Sequence, residues 1–415
     1  MKGVHGTGIA RRIKARIPGP IKAQARRAIR WAHEARGFFV WPPNDKGVYN
    51  SVDPQLVREY NKTRPLGPKP LVCYLPFNSV HFCSGGRALA CIYNQKVLFG
   101  VYPEQSVREI WFGETGKRLR DFMEHNDLSM GCQHCEYFLV NRAFTGLKAP
   151  VFDRYWRYRK GQYPKVMEFD LTNTCNLECI MCNGTVSSAI RRNRDKLPPL
   201  PNPYDAEFVR QLEEFIPHLE EAKFFGGEPF LIDIYYDIWD KLLEMNPRVE
   251  IFVMTNGTIL NDRVRSRLEK GTFRLGVSID GATKKTYEMI RPGASYERVM
   301  ENLEYFNEYS RRRGGSLVIS TTLMRVNWEE VPRMIEFCNR RGARIYLSYL
   351  KRPEHLALWN LDARTLGEIH RALSAYEPPG TDETQRFNRR CYEDFLRQLL
   401  YWRQAQERGE ALAPW

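Results

Sequence analysis

Six short runs of β-branched and aromatic residues recur along the chain: Val166 to Thr172, Ala222 to Phe225, Val249 to Met254, Phe273 to Ile279, Leu317 to Leu323 and Arg344 to Tyr349. Between them lie segments with apolar residues at helical spacing, such as Tyr296 to Tyr309 and Glu329 to Arg340. A short apolar run marks a buried strand and a 3.6-residue stripe marks a helix packed on one face, so the order reads as repeated βα units. Such alternation predicts a parallel sheet with outer helices, and six units rather than eight predict a partial TIM-like (β/α)6 barrel, an α/β fold. Functional side chains are then expected at the carboxyl ends of the strands.

The first of those ends carries three cysteines, Cys175, Cys179 and Cys182, spaced C-x3-C-x2-C. A zinc knuckle would need a fourth nearby Cys or His, and none lies between Leu171 and Asp205. The run resembles the cluster loop of radical SAM enzymes, in which three thiolates hold a [4Fe-4S] cluster and one iron stays open to chelate S-adenosylmethionine. The second strand ends in Gly226-Gly227-Glu228-Pro229. Glycines let backbone approach closely and a carboxylate accepts from an ammonium group, and in the resembled family a turn of this kind holds the methionyl amine.

Asn256 in Thr255-Asn256-Gly257 follows the third strand, and Ser278 and Asp280 close the fourth. The resemblance makes these, with Arg291, candidates for the ribose and carboxylate of S-adenosylmethionine. Asn-Gly and Asp-Gly are also ordinary turn dipeptides. Arg325 and Asn327, past the fifth strand, are candidates for the adenine side or for helix entry. The chemistry that the resemblance implies is reductive cleavage of S-adenosylmethionine to a 5′-deoxyadenosyl radical, which takes hydrogen from an unactivated carbon. The protein's part is position and exclusion.

A second cysteine set precedes the barrel: Cys73, then Gly86 and Cys91, then the pair Cys132 and Cys135. The order C-x12-G-x4-C followed by C-x2-C resembles the start of the SPASM or twitch auxiliary domain of radical SAM enzymes. It implies a small α+β domain with one auxiliary iron–sulfur cluster, placed here before the barrel instead of after it. Four thiolates would equally hold a structural zinc. Cys83 is a second choice for the Cys73 position. Cys338, among Met334, Ile335 and Phe337, reads as a packing residue. Cys391 is a candidate hydrogen donor, as in radical SAM epimerases, against an inert place in a helix.

Charge changes the picture less than its total suggests. Residues 1–40 hold ten Lys or Arg against one Glu, so +9 of the formal +14 sits in one arm. The stretch Ile21 to Arg36 reads as a helix for peripheral contact with the protein, an anionic lipid or an acidic partner. No secretory leader and no apolar run long enough to span a bilayer are apparent, and thiols spaced as metal ligands point to a reducing cytoplasm.

The expected organisation is a basic arm and Pro-rich linker over 1–70, the auxiliary domain over 71–142, the barrel over 164–352 and a helical extension over 353–415. The resemblance implies an oxidoreductase that modifies a C–H bond of a peptide or sugar-containing substrate by epimerisation, oxidation or crosslinking, reduced by a flavodoxin or ferredoxin. The competing class is a non-catalytic iron–sulfur or zinc protein that binds nucleic acid through the arm. With the charge confined to the arm and no stacked aromatic and basic module apparent, nucleic acid is not the expected partner.

Overall fold

The computed structural model describes residues 47–410, so the basic arm lies outside the described residues. Nine strands form one sheet: β1 (Ser79–Cys83), β2 (Arg87–Leu89), β3 (Leu98–Val101), β4 (Val166–Asp170), β5 (Glu221–Phe224), β6 (Glu250–Thr255), β7 (Phe273–Ser278), β8 (Val318–Leu323) and β9 (Arg344–Tyr349). Their order is β3-β2-β1-β4-β5-β6-β7-β8-β9. From β4 to β9 every neighbour is parallel, which gives the six-strand partial barrel expected from the apolar runs. Helices follow these strands and bury their apolar faces on the sheet, among them Asp233–Met245 and Tyr296–Arg312.

The cysteine-rich segment is continuous with the barrel sheet. β1 pairs in parallel with β4 along its whole length, while β2 and β3 turn back antiparallel beyond it. The register explains the fit. Phe82, Phe169 and Phe224 stand level on three adjacent strands, with ring centroids 6.1 Å and 4.9 Å apart, and Trp239 packs edge-on against Phe224. Stacked aromatic neighbours add about 0.5–1.5 kcal/mol per pair beyond their buried area.

One residue along each strand, the side chains point to the other face, as a period of two requires. There His81, Glu168, Lys223, Phe252 and Arg274 stand level across five strands. Glu168 accepts from His81 at 3.0 Å and from Lys223 at 3.1 Å, and Lys223 also lies 3.4 Å from Glu221. Burial opposes a charge on His81, yet hydrogen bonds with Cys83 and Glu168 outweigh it and lift its pKa to about 10. Burial likewise opposes ionisation of Glu168, but His81 and Lys223 bring it down to about 2. The inner face is therefore a paired charge layer beneath the carboxyl ends of the strands.

The tail forms the helices Ala363–Ser374 and Glu383–Glu407, the second lying on β9. Buried Asn388 accepts from the Ile345 amide at 2.8 Å and donates to the Ala343 carbonyl at 3.0 Å, which fixes that helix to the last strand. The expected linker differs. Pro54–Asn61 is a helix capped by Asp53, because Pro is tolerated at a first helical position. Arg64 just beyond it is buried against Asp153, donating through Nε at 2.7 Å and through Nη1 to the Leu71 carbonyl at 2.8 Å.

Removing one member of a fully buried ion pair strands the other, so Arg64→Ala is expected to lower the unfolding free energy by about 3–5 kcal/mol in urea denaturation. A loss below about 1 kcal/mol, the range of exposed pairs, would contradict this role.

Candidate functional site

At the carboxyl end of β4 the chain leaves the sheet and folds into the cysteine loop. Its shape is set by polar ties: the Cys175 amide donates to Ser188 Oγ at 3.0 Å, Ser187 Oγ to the Leu177 carbonyl at 2.7 Å, and Asn173 to the Gly184 carbonyl at 3.0 Å. Two further amides, of Glu178 and Ile180, bond to the carbonyls of Pro292 and Ile290, each at 3.0 Å. The loop is thus strapped to the segment that carries Arg291.

Cys175, Cys179 and Cys182 face one cavity of about 250 Å³. Gly226, Gly227, Asn256, Ser278 and Arg291 line it too, so the structure gathers eight of the residues singled out from sequence around one space. Sequence reading missed Met254 and Thr322, which also line it. Their signal was parity: Met254, Ser278 and Thr322 lie on the inward face of successive strands. Among the described residues no three His, Cys, Asp or Glu side chains close around a single metal ion. The three thiols border a cavity instead, the donor set that a four-iron cluster with one open iron requires.

The glycines have a reason beyond the one expected. A Cβ on Gly227 would lie 2.0 Å from the Thr174 carbonyl oxygen, and one on Gly226 would lie 2.2 Å from Asp170 Oδ1. Both also have positive φ, 42° at Gly227 and 80° at Gly226. They admit the cysteine loop itself against the turn. Glu228, expected to meet an amine, lies fully buried behind the cavity: it accepts from Thr255 Oγ1 at 2.7 Å, the Asn256 amide at 2.6 Å and the Phe230 amide at 3.1 Å. Burial raises its pKa to about 7 against the pull of those three donors.

Asp280 is likewise behind the wall. Its carboxylate takes Arg291 Nη2 at 2.6 Å and Nε at 2.8 Å and the Thr322 amide at 2.6 Å, which aims the guanidinium at the cavity. Burial opposes the charge of Arg291, but Asp280 and Cys179 hold it above its ordinary value. Asn327 does not reach the cavity: it donates to the Asp280 and Thr322 carbonyls, each at 2.9 Å, and ties the ends of β7 and β8. Arg325 turns to the carbonyls of Ala357 and Asn360. Among the thiols, a hydrogen bond from Cys182 lowers the pKa of Cys179 against burial, with Arg291 assisting.

The second set also converges. Cys73, Cys91, Cys132 and Cys135 line one small apolar cavity of about 30 Å³. Three of the sulfurs accept N–H bonds, from the Leu75 amide at 3.4 Å, the Tyr93 amide at 3.3 Å and Asn94 Nδ2 at 3.5 Å. Burial raises the pKa of all four thiols, Cys91 to about 11, and these N–H donors offset that rise only in part. Cys83 stands elsewhere, at the end of β1 level with Asp170. Cys338 is fully buried in its helix, while Cys391 donates to the Ile345 carbonyl at 3.4 Å and lines a different cavity from Cys175, Cys179 and Cys182.

Two outcomes test this geometry. Gly227→Ala should cost more than about 2 kcal/mol, from left-handed backbone strain plus the overlap with Thr174, and should deplete bound iron; unchanged stability and iron content would contradict the fit. Glu228, whose ordinary value is 4.5, holds its proton in the folded chain up to about 7. The folded state therefore binds more protons across that window, and stability falls as pH rises through it, by about 3 kcal/mol from this group. Glu228→Gln should remove that part of the slope in denaturation at about pH 5 and pH 7. Parallel slopes in both proteins would contradict it.

Residues 169–338 match the family model described as the Radical SAM superfamily. The chain is 28% identical over 186 residues to an AdoMet-dependent heme synthase of Methanosarcina barkeri, covering 44% of this chain and 49% of that protein. It is 27% identical over 185 residues to a probable GTP 3',8-cyclase of Methanothermobacter marburgensis, covering 43% and 54%. The chain thus spans about half the length of these curated relatives. Among solved structures it is similar to native anSMEcpe with bound AdoMet, with TM-score 0.40, 16% identity and coverage of 56% and 62%. It is also similar to Streptococcus suis SuiB bound to S-adenosylmethionine, with TM-score 0.39, 16% identity and coverage of 62% and 61%. The matched stretch, residues 169–338, includes the loop of Cys175, Cys179 and Cys182.

Proposed function

We propose that the chain is a C–H modifying enzyme that reductively cleaves S-adenosylmethionine and takes hydrogen from an unactivated carbon of a peptide or sugar-containing substrate. The observation that carries the reading is the meeting of three thiols with a glycine-floored cavity at the carboxyl ends of β4 to β8. When bound there, the [4Fe-4S] cluster supplies one electron to the sulfonium. Cys175, Cys179 and Cys182 would hold it. Gly226 and Gly227 keep the turn close to the loop, and Asn256, Ser278 and Arg291 present polar groups to the cofactor's amino-acid and ribose ends.

Arg291 has a second duty. Its guanidinium, fixed by Asp280, sits beside Cys179 and stabilises negative charge on a thiolate ligand. Cys73, Cys91, Cys132 and Cys135 would hold an auxiliary cluster in their apolar cavity, where burial and N–H···S bonds tune its potential. Among the described residues no helix is long and apolar enough to cross a membrane. A flavodoxin or ferredoxin is the reductant that this chemistry calls for.

The test is anaerobic reconstitution with iron and sulfide, followed by dithionite and S-adenosylmethionine, with 5′-deoxyadenosine as the readout. The native chain should form it, and replacement of Cys175, Cys179 and Cys182 together by Ala should reduce it to the level of buffer. Equal product from the triple variant would overturn the assignment.

A further inference from the structure

Ser348 on β9 stands level with Thr322 on β8, and its hydroxyl donates to Thr322 Oγ1 at 3.2 Å. Thr322 lines the cavity of Cys175, Cys179 and Cys182, whereas Ser348 lines a second cavity of about 330 Å³. The two spaces therefore share a wall at the strand ends. The second cavity also meets the auxiliary cysteines, since Tyr93 and His134 line both that space and theirs. Further walls come from the helices Gln133–Val140 and Glu383–Glu407.

Rings dominate the lining. Tyr93, Phe138, Tyr346, Tyr349, Trp359 and Trp402 all border the space. Tyr93 stacks on His134 with centroids 4.5 Å apart, and Trp402 meets Tyr349 edge-on at 5.2 Å. The polar side chains are mostly engaged with protein partners: the hydroxyls of Tyr137 and Tyr401 meet at 2.7 Å, Tyr346 Oη accepts from Lys148 at 2.7 Å, and Asp394 pairs with Arg397. A buried sugar needs a partner for nearly every hydroxyl, and a lining of this kind leaves few. Two atoms of lining residues, Trp359 Nε1 and His134 Nδ1, are buried without a partner among the described residues. The indole N–H can only donate, so it calls for an oxygen beside a flat apolar group.

We propose that this cavity receives an aromatic side chain of a peptide substrate, its ring held among those of Tyr93, Phe138, Trp359 and Trp402, with a hydroxyl or carbonyl oxygen beside the ring accepting from Trp359 Nε1. Ring contacts in offset or edge geometry favour such a guest over a saturated one of similar size. A space of about 330 Å³ lies at the small end of ligand pockets, which run from about 300 to 1,000 Å³, and so suits one side chain with its flanking peptide groups. The shared wall puts this pocket beside the strand ends where the chemistry is proposed. Resting on the peptide reading of the function, it names aromatic residues as the ones held.

The experiment uses the full-length, anaerobically reconstituted protein without S-adenosylmethionine or reductant, so failure here leaves the radical chemistry standing. Equilibrium dialysis compares the N-acetyl amides of tyrosine and tryptophan with that of cyclohexylalanine and with a methyl glucoside. The aromatic amides should bind about tenfold or more tighter than either comparison compound. Gln398→Trp, which fills the cavity from the half-buried face of the C-terminal helix, should weaken them about tenfold or more, while a separate titration with S-adenosylmethionine matches that of the native chain. Whether or not that variant folds, photolysis of the native chain with a diazirine-bearing phenylalanine amide should label residues within 346–351 or 391–402, located by mass spectrometry. Equal binding of the cyclohexyl compound, tighter binding of the glucoside, aromatic binding unmoved in a folded Gln398→Trp variant, or labelling that misses both segments would each overturn the proposal.

Discussion

The close backbone seam between the ends of β4 and β5 is the constraint on which the rest of the structure depends. The Glu228 amide donates to the Thr174 carbonyl at 2.7 Å, and the Thr174 carbonyl also occupies the space where a side chain on Gly227 would project. This seam fixes where Cys175 begins its loop. Parallel pairing then carries the same level to β6, β7 and β8, so that Asn256, Ser278 and Thr322 arrive at one rim. No long-range coordination of separate domains is needed. Register alone brings the donors together.

Polar residues divide into those that face the cavity and those that hold the facing residues still. Glu228 and Asp280 belong to the second group: each carboxyl group accepts three hydrogen bonds from the protein, and each fixes a neighbour, the Asn256 backbone in one case and the Arg291 side chain in the other. A buried group held by several hydrogen bonds has few alternative geometries, and this is how a site on strand ends is pre-organised. The charge layer of His81, Glu168 and Lys223 under the rim serves the same end, since its members neutralise one another inside the sheet.

Much of this was legible in the chain. The six barrel strands begin and end close to the expected residues because each carries a row of buried residues on its helix-facing side, such as Ile251, Val253 and Thr255 on β6. Both cysteine sets were legible from spacing, and each converges on one cavity. What escaped depended on tertiary neighbours. The five residues of β1 hold a histidine among apolar residues and carry no strong period, and their place was decided by Phe82 stacking level with Phe169. The direction of Glu228 depended on Thr255, twenty-seven positions away. Cys391, read as a candidate hydrogen donor or as an inert residue of a helix, has a place that follows from the docking of the last helix on β9.

The most direct test of the account is electron paramagnetic resonance of the reduced, reconstituted chain during titration with S-adenosylmethionine. An open iron at the loop of Cys175, Cys179 and Cys182 predicts that one cluster signal shifts on binding, while a second signal, from the set containing Cys132 and Cys135, stays where it was. A spectrum that does not change throughout the titration would mean that every iron is already capped by protein, and would contradict it.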